Sequence, residues 1–147
     1  MTPIEFRTRR KAIGLSQEEV GRCIALVSPM TDGSSRLPVK QTTIARWEGG
    51  RGLPRWADME MLSIFHKLDI TLQLMQDDAA RIGTIAIAMY SPMSVAPIPA
   101  YADDETFWRE QPQWAGWPAA LWNLAALRAA DTLADQKHRD IQLTESE

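Results

Sequence analysis

Cys23 is the only cysteine in a chain of 147 residues. It excludes an internal disulfide framework and a thiolate metal cluster built within one chain, and it agrees with a reducing compartment. Histidine is nearly as scarce: His66 and His138 are the only two, and they lie too far apart for metal-ligand spacing. No long hydrophobic run is present, because the longest apolar stretch, Ile85 to Tyr90, falls far short of the roughly 20 residues that cross a bilayer. The opening Met1-Thr2-Pro3-Ile4-Glu5 lacks the basic-then-apolar pattern of a signal peptide, so the chain reads as cytoplasmic with no membrane partner. Internal repeats and low-complexity segments are also missing. With 24% charged and 45% hydrophobic residues, what remains is an ordinary globular composition for one domain or two small ones.

Catalytic constellations are equally hard to find. Cys23 stands on a helical pattern with Val20 and Ile24, where it reads as a buried, inert thiol. His66 reads as a surface or packing residue. Gly49-Gly50-Arg51-Gly52 is glycine-rich, yet no strand precedes it and no Lys-Ser/Thr follows, as a phosphate cradle requires. Asp77-Asp78 and Asp103-Asp104-Glu105 read as a helix end and a helix start. The sequence therefore reads as a protein that is not an enzyme and needs no cofactor or metal.

Charge is what the chain does have, unevenly divided. The net charge of −3 conceals ten Lys/Arg against five Asp/Glu in residues 1–55, and six against fourteen in residues 56–147. A basic head suits a polyanionic partner, and an acidic remainder keeps the rest of the chain off it.

Helix signals dominate the first half. Thr2-Pro3-Ile4-Glu5 offers an N-cap, a proline at the first helical position and a glutamate three residues after the cap, which predicts a helix from Pro3 to about Ile13, stopped by Gly14. Ser16-Gln17-Glu18-Glu19 is a capping box that opens a second helix through Val20, Cys23 and Ile24. Leu26 to Pro38 is rich in turn formers and reads as a solvated loop, with Ser34, Ser35 and Arg36 as candidate contacts to a ligand. A third helix is expected from Lys40 to Glu48, with Val39, Ile44 and Trp47 on one buried stripe and Gly49-Gly50 ending it. A fourth is expected from Arg55 to Leu68, its core side being Met59, Leu62, Ile64 and Phe65. Thr71 is the expected cap of a fifth carrying Leu72, Leu74, Met75, Ala79 and Ile82. Beyond Gly83, Thr84 to Tyr90 alternates and reads as a strand, and Ser91 to Pro99 reads as irregular because of its three prolines. Helices over Asp104 to Glu110 and from Pro118 through Leu133, then a short strand at Arg139 to Thr144, complete the expectation.

The runs Arg10-Lys-Ala-Ile-Gly-Leu-Ser-Gln-Glu-Glu-Val20 and Val39-Lys-Gln-Thr-Thr-Ile-Ala-Arg-Trp-Glu-Gly-Gly50 resemble the helix-turn-helix of the Xre family, which includes the phage lambda repressor and Cro. The resemblance covers residues 3 to about 75. It implies a mainly α fold, with a five-helix lambda-repressor-like DNA-binding bundle over residues 1–82 and a small α+β dimerisation part over residues 83–147. It also implies that the third helix enters the major groove, with Lys40, Gln41, Thr42 and Arg46 at base edges. The chemistry suits the role, since Gln pairs bidentately with adenine and Arg with guanine. Gln17, Arg51 and Arg55 match positions that hold the phosphate backbone, and Arg10 matches one that pairs with Glu48 as scaffold and touches phosphate occasionally. The sequence departs from the family at Leu26 to Pro38, which lengthens the link between the motif helices by about a dozen residues, and at Arg9, where relatives place an apolar residue.

The C-terminal part, Asp103-Asp-Glu-Thr-Phe-Trp-Arg-Glu110 and Trp117 to Ala130, resembles the carboxyl-terminal region of small YdiL-like regulators, a group that includes anti-CRISPR-associated autorepressors. In that group such a region builds a homodimer. Four of the six tryptophans, Trp108, Trp114, Trp117 and Trp122, cluster here and are the expected dimer interface, a small core, or both. The sequence thus points to a homodimeric repressor of an inverted-repeat double-stranded DNA operator. A protein-interaction module such as an antitoxin is the rival reading, and structured RNA is a further partner that the basic face admits.

Overall fold

A computed structural model of the chain describes residues 1–30 and 32–146; Thr31, in the expected loop, and Glu147 lie outside the described residues. The protein is mainly helical. Its elements are α1 (Pro3–Ala12), α2 (Gln17–Val27), α3 (Gln41–Arg46), a wide helical turn (Trp47–Arg51), α4 (Arg55–Met89), β1 (Ala96–Tyr101), α5 (Asp104–Glu110), a short turn of 3₁₀ helix (Pro112–Trp114), α6 (Ala119–Lys137) and β2 (Ile141–Ser146). Two compact units divide the chain, Met1–Ile70 and Thr71–Glu147. Their boundary falls within α4, earlier than the expected break after residue 82. Among the described residues, no helix is long and apolar enough to cross a membrane.

In the first unit the capping signals act as local chemistry requires. Thr2 Oγ1 accepts from the backbone N–H of Glu5 at 3.2 Å. The Ser16 hydroxyl accepts from Glu19 N–H at 3.1 Å, and the Glu19 carboxylate accepts from Ser16 N–H at 2.9 Å. The Thr2 cap and the reciprocal Ser16–Glu19 capping box satisfy N–H groups that a helix leaves orphaned. Gly14, at φ 73°, turns the chain between the two helices, a conformation glycine takes without steric cost. The core is Phe6, Val20, Cys23, Ile24, Ile44, Met61 and Ile64, with Phe6 edge-on to Trp47 at 5.8 Å and to Phe65 at 5.6 Å. Each large apolar side chain buried in this way contributes about 1.5–3 kcal/mol.

The segment between α2 and α3 is tied down at its base. Val39 N–H donates to Gly21 O at 3.1 Å, and a β-carbon at Gly21 would lie 1.9 Å from the Val39 carbonyl oxygen. Only glycine lets the returning chain cross α2 so closely. Arg36 donates to Ser28 O at 2.9 Å, and its guanidinium lies 4.2 Å from the Trp56 ring centroid, a cation–π contact. Arg36 is therefore a strut of the loop, while Ser34 and Ser35 stay exposed.

The expected fourth helix, fifth helix and strand at 84–90 are a single helix, α4. Thr71 is buried inside it, Met61, Leu68, Leu72, Met75 and Ala79 carry its buried side, and Met59, Leu62 and Leu74 are exposed, contrary to their expected place in the core. Gly83 marks a close contact and no break: a β-carbon there would meet Leu133 Cδ1 at 2.6 Å and Ile98 Cδ1 at 2.8 Å. The short period of Thr84 to Tyr90 suggested a strand, but only Ala86 of that run is buried, and Ile85 stays 59% exposed.

In the second unit the strand lies where prolines seemed to forbid one. β1 pairs in parallel with β2, with Ala96 opposite Ile141 and Tyr101 opposite Ser146. The N–H of Ala96 donates to Asp140 O at 2.9 Å. Alternation then turns residues 97, 99 and 101 away from β2, so Pro97 and Pro99 occupy positions where no ladder N–H is needed. The core of this unit joins Tyr101, Phe107 and Trp122, with centroids 5.3–6.2 Å apart. α5 begins at Asp103, whose carboxylate accepts from Thr106 N–H at 2.7 Å.

Candidate nucleic-acid interface

A chain of polar contacts joins four elements of the first unit, α1, α2, α3 and the wide turn after α3. Arg10, on α1, is 8% exposed and donates from Nε and Nη2 to Glu48 Oε1 at 3.1 and 2.8 Å, and from Nη1 to Leu15 O at 2.8 Å. The other oxygen of Glu48 accepts from Gln17 Nε2 at 2.9 Å. Gln17 Oε1 in turn accepts from Gln41 Nε2 at 2.6 Å. The first turn of α2 is thereby linked to the first turn of α3, and both to the turn that follows α3. Arg10 and Glu48 have side-chain exposures of 10% and 5%. At that burial each charge depends on the other for compensation.

Around this frame the remaining expected contacts fall into two sets. Lys40, Gln41, Thr42 and Arg46 are exposed at the start and along the length of α3, whose inner side is held by the fully buried Ile44. Arg46 and Arg51 line one depression of about 370 Å³ together with Thr43. Arg51, closing the wide turn, and Arg55, opening α4, are both exposed. Gly50, at φ 105°, lets the chain reverse between α3 and Arg51. The arrangement offers two kinds of donor to a polyanion: flexible ammonium and guanidinium groups for phosphate, and a helix bearing amide, hydroxyl and guanidinium ends for base edges.

Arg10 is the exception in the backbone-contact set. Its guanidinium is held by Glu48 and the Leu15 carbonyl and is largely buried, which is the scaffold position expected of it. Gln17 is half-buried and is partly occupied as the bridge to Gln41.

Of the four tryptophans expected at a dimer interface, in a small core, or both, Trp122 is the one that lies wholly in the core. Trp122 is fully buried within its own unit and donates to Pro99 O at 2.9 Å, so it cannot present a surface to a second chain. Trp108 donates to Trp117 O at 2.6 Å and Trp114 to the Asp78 carboxylate at 2.9 Å. Trp108, Trp114 and Trp117 are half-buried. These rings help build the unit itself, the indole N–H groups of Trp108, Trp114 and Trp122 being satisfied internally.

Sequence reasoning missed Trp56 as the partner of Arg36, Gly21 as the crossing point and Asn123 as a strand cap. Of these only Gly21 had a local signal, a glycine amid the helix-forming run Glu19-Val20-Gly21-Arg22-Cys23. The chain matches no family model and no curated protein.

Proposed function

We infer that the protein is a sequence-specific, double-stranded-DNA-binding regulator that acts as a homodimeric repressor at an inverted-repeat operator. The observation that carries this reading is the Arg10–Glu48–Gln17–Gln41 network. It fixes the first turns of α2 and α3 against one another and leaves Lys40, Thr42 and Arg46 exposed on one short helix, flanked by Arg51 and Arg55. The likeness to the lambda-repressor bundle belongs to this reading and rests on the motif residues.

In it, α3 enters the major groove. Gln41 and Arg46 read base edges, with Lys40 and Thr42 beside them. Gln17, Arg51 and Arg55 hold phosphates on either side. Two copies place two such helices on two half-sites, and occupancy alone excludes polymerase, so no catalytic group is required. The acidic second half repels the duplex and confines binding to the basic face.

Titration of the full chain against a labelled random duplex over a range of salt tests the electrostatic part. Binding should weaken steeply as salt rises, by a slope that Arg51→Ala makes shallower by about one charge. Absence of salt-dependent binding to duplex DNA would overturn the reading.

A further inference from the structure

The two edges of the β1–β2 sheet are treated in opposite ways. On the outer edge of β1, Pro97 and Pro99 have no N–H, and the Pro99 carbonyl accepts from the Trp122 indole at 2.9 Å. Tyr101 N–H donates to Asn123 Oδ1 at 2.9 Å, and its carbonyl accepts from Asn123 Nδ2 at 2.8 Å. Asn123 thus replaces a neighbouring strand at that point, and no further strand can pair along this edge.

The outer edge of β2 carries none of these devices. Because the Ala96 N–H reaches Asp140 O, residues 140, 142, 144 and 146 of β2 face β1, and Ile141, Leu143 and Glu145 direct their N–H and C=O groups outward. Among the described residues, no backbone or side-chain hydrogen bond is made to them there. A two-stranded sheet with one sealed and one open edge is incomplete in a single direction.

We propose that this edge of β2 is the dimer interface, with a second copy of the chain adding its own β2 antiparallel across a two-fold axis at Leu143. The proposal rests on the homodimer reading above and names its surface. Three features favour a second copy. With Leu143 opposite Leu143 of the second copy, Ile141 lies opposite Glu145, so every outward N–H and C=O finds a partner. The same register separates the two Glu145 carboxylates, whereas an axis at Glu145 would oppose them. Finally, the sealed edge of β1 stops the assembly at four strands, so pairing closes as a dimer and does not propagate.

The test uses the full chain. Leu143→Pro removes an N–H that β1 does not use, just as Pro97 and Pro99 do on the other strand, so the β1–β2 ladder survives. Sedimentation should show the unaltered protein as a dimer and Leu143→Pro, with its far-ultraviolet circular dichroism retained, dissociating at about tenfold or more higher concentration. Leu143→Cys supplies a second measurement that does not depend on the proline variant folding. Paired residues of this kind lie about 5.5 Å apart, within disulfide reach, so mild oxidation should give a covalent dimer. Cys23 is fully buried, and Glu105→Cys, on the exposed side of α5, should not cross-link. An unaltered protein that is dimeric, with Leu143→Pro equally dimeric and Leu143→Cys not cross-linking, would overturn the edge assignment and leave the homodimer standing. A monomeric unaltered protein would overturn both.

Discussion

Gln17 Oε1 accepts a hydrogen bond from Gln41 Nε2 at 2.6 Å, joining the first turns of α2 and α3. The same Gln17 donates to Glu48, which is held by Arg10. The position of α3 therefore depends on a buried charge pair remote from its exposed surface.

Removing one member of that pair should be costly. Glu48→Ala leaves the Arg10 guanidinium buried without its counter-charge, and should lower the unfolding free energy by about 3–5 kcal/mol. Chemical denaturation measures it. A loss near that of an exposed pair, about 0–1 kcal/mol, would show that the pair does not hold the frame.

Base reading and phosphate holding separate by mutation. Arg46→Ala should cost about 1–3 kcal/mol on the preferred site and relax preference at one position per half-site, while Arg51→Ala should weaken all sequences alike. Competition between specific and random duplexes reads the difference. Equal losses on both DNAs for Arg46→Ala would remove it from the base-reading set.

Gly21→Ala tests the link that leads into α3. Its β-carbon has no room beside the Val39 carbonyl, so the variant should lose about 1–3 kcal/mol and lower DNA affinity through displacement of α3. Hydrogen exchange at the Val39 amide should accelerate. Unchanged exchange there would contradict the crossing as the anchor.

Trp122→Ala should act on folding and not selectively on assembly. Deleting a fully buried indole costs about 3–5 kcal/mol, and near-ultraviolet circular dichroism should show the loss of tertiary packing. A fully folded variant changed only in association state would restore Trp122 to the interface.

Asp103 gives the protein a pH-dependent component of stability. Hydrogen bonding from Thr106 holds its carboxyl below the usual range. A folded-state pKa below the unfolded one stabilises above the unfolded value, and that stabilisation is lost as pH falls through the folded value. The melting-temperature gap between the unaltered protein and Asp103→Asn should therefore shrink on acidification. A gap independent of pH would contradict this role.

The parts of the fold legible in the sequence were those controlled by neighbouring residues. Thr2, Ser16-Glu19 and Asp103 mark helix starts through contacts spanning three residues, and the structure has helices there. The Arg10–Glu48 pair was legible from family resemblance alone, because its partners are 38 positions apart. Errors arose where distant packing decides. Gly83 and Thr71 look like breaks, yet α4 runs through both, since Leu133 and Ile98 need the space at Gly83. Pro97 and Pro99 look like breakers, yet their alternation places both on the side of β1 that β2 never uses. The tryptophan cluster could have been core or interface by composition, and only burial separates the two.

Sequence-specific recognition of duplex DNA is measured by selecting bound duplexes from a random-sequence pool with the full chain, followed by footprinting. One enriched motif with two-fold symmetry is expected, its half-sites about one helical turn apart, with enrichment lost for Arg46→Ala. Recovery of no enriched sequence, or of an asymmetric motif indifferent to Arg46, would contradict that recognition.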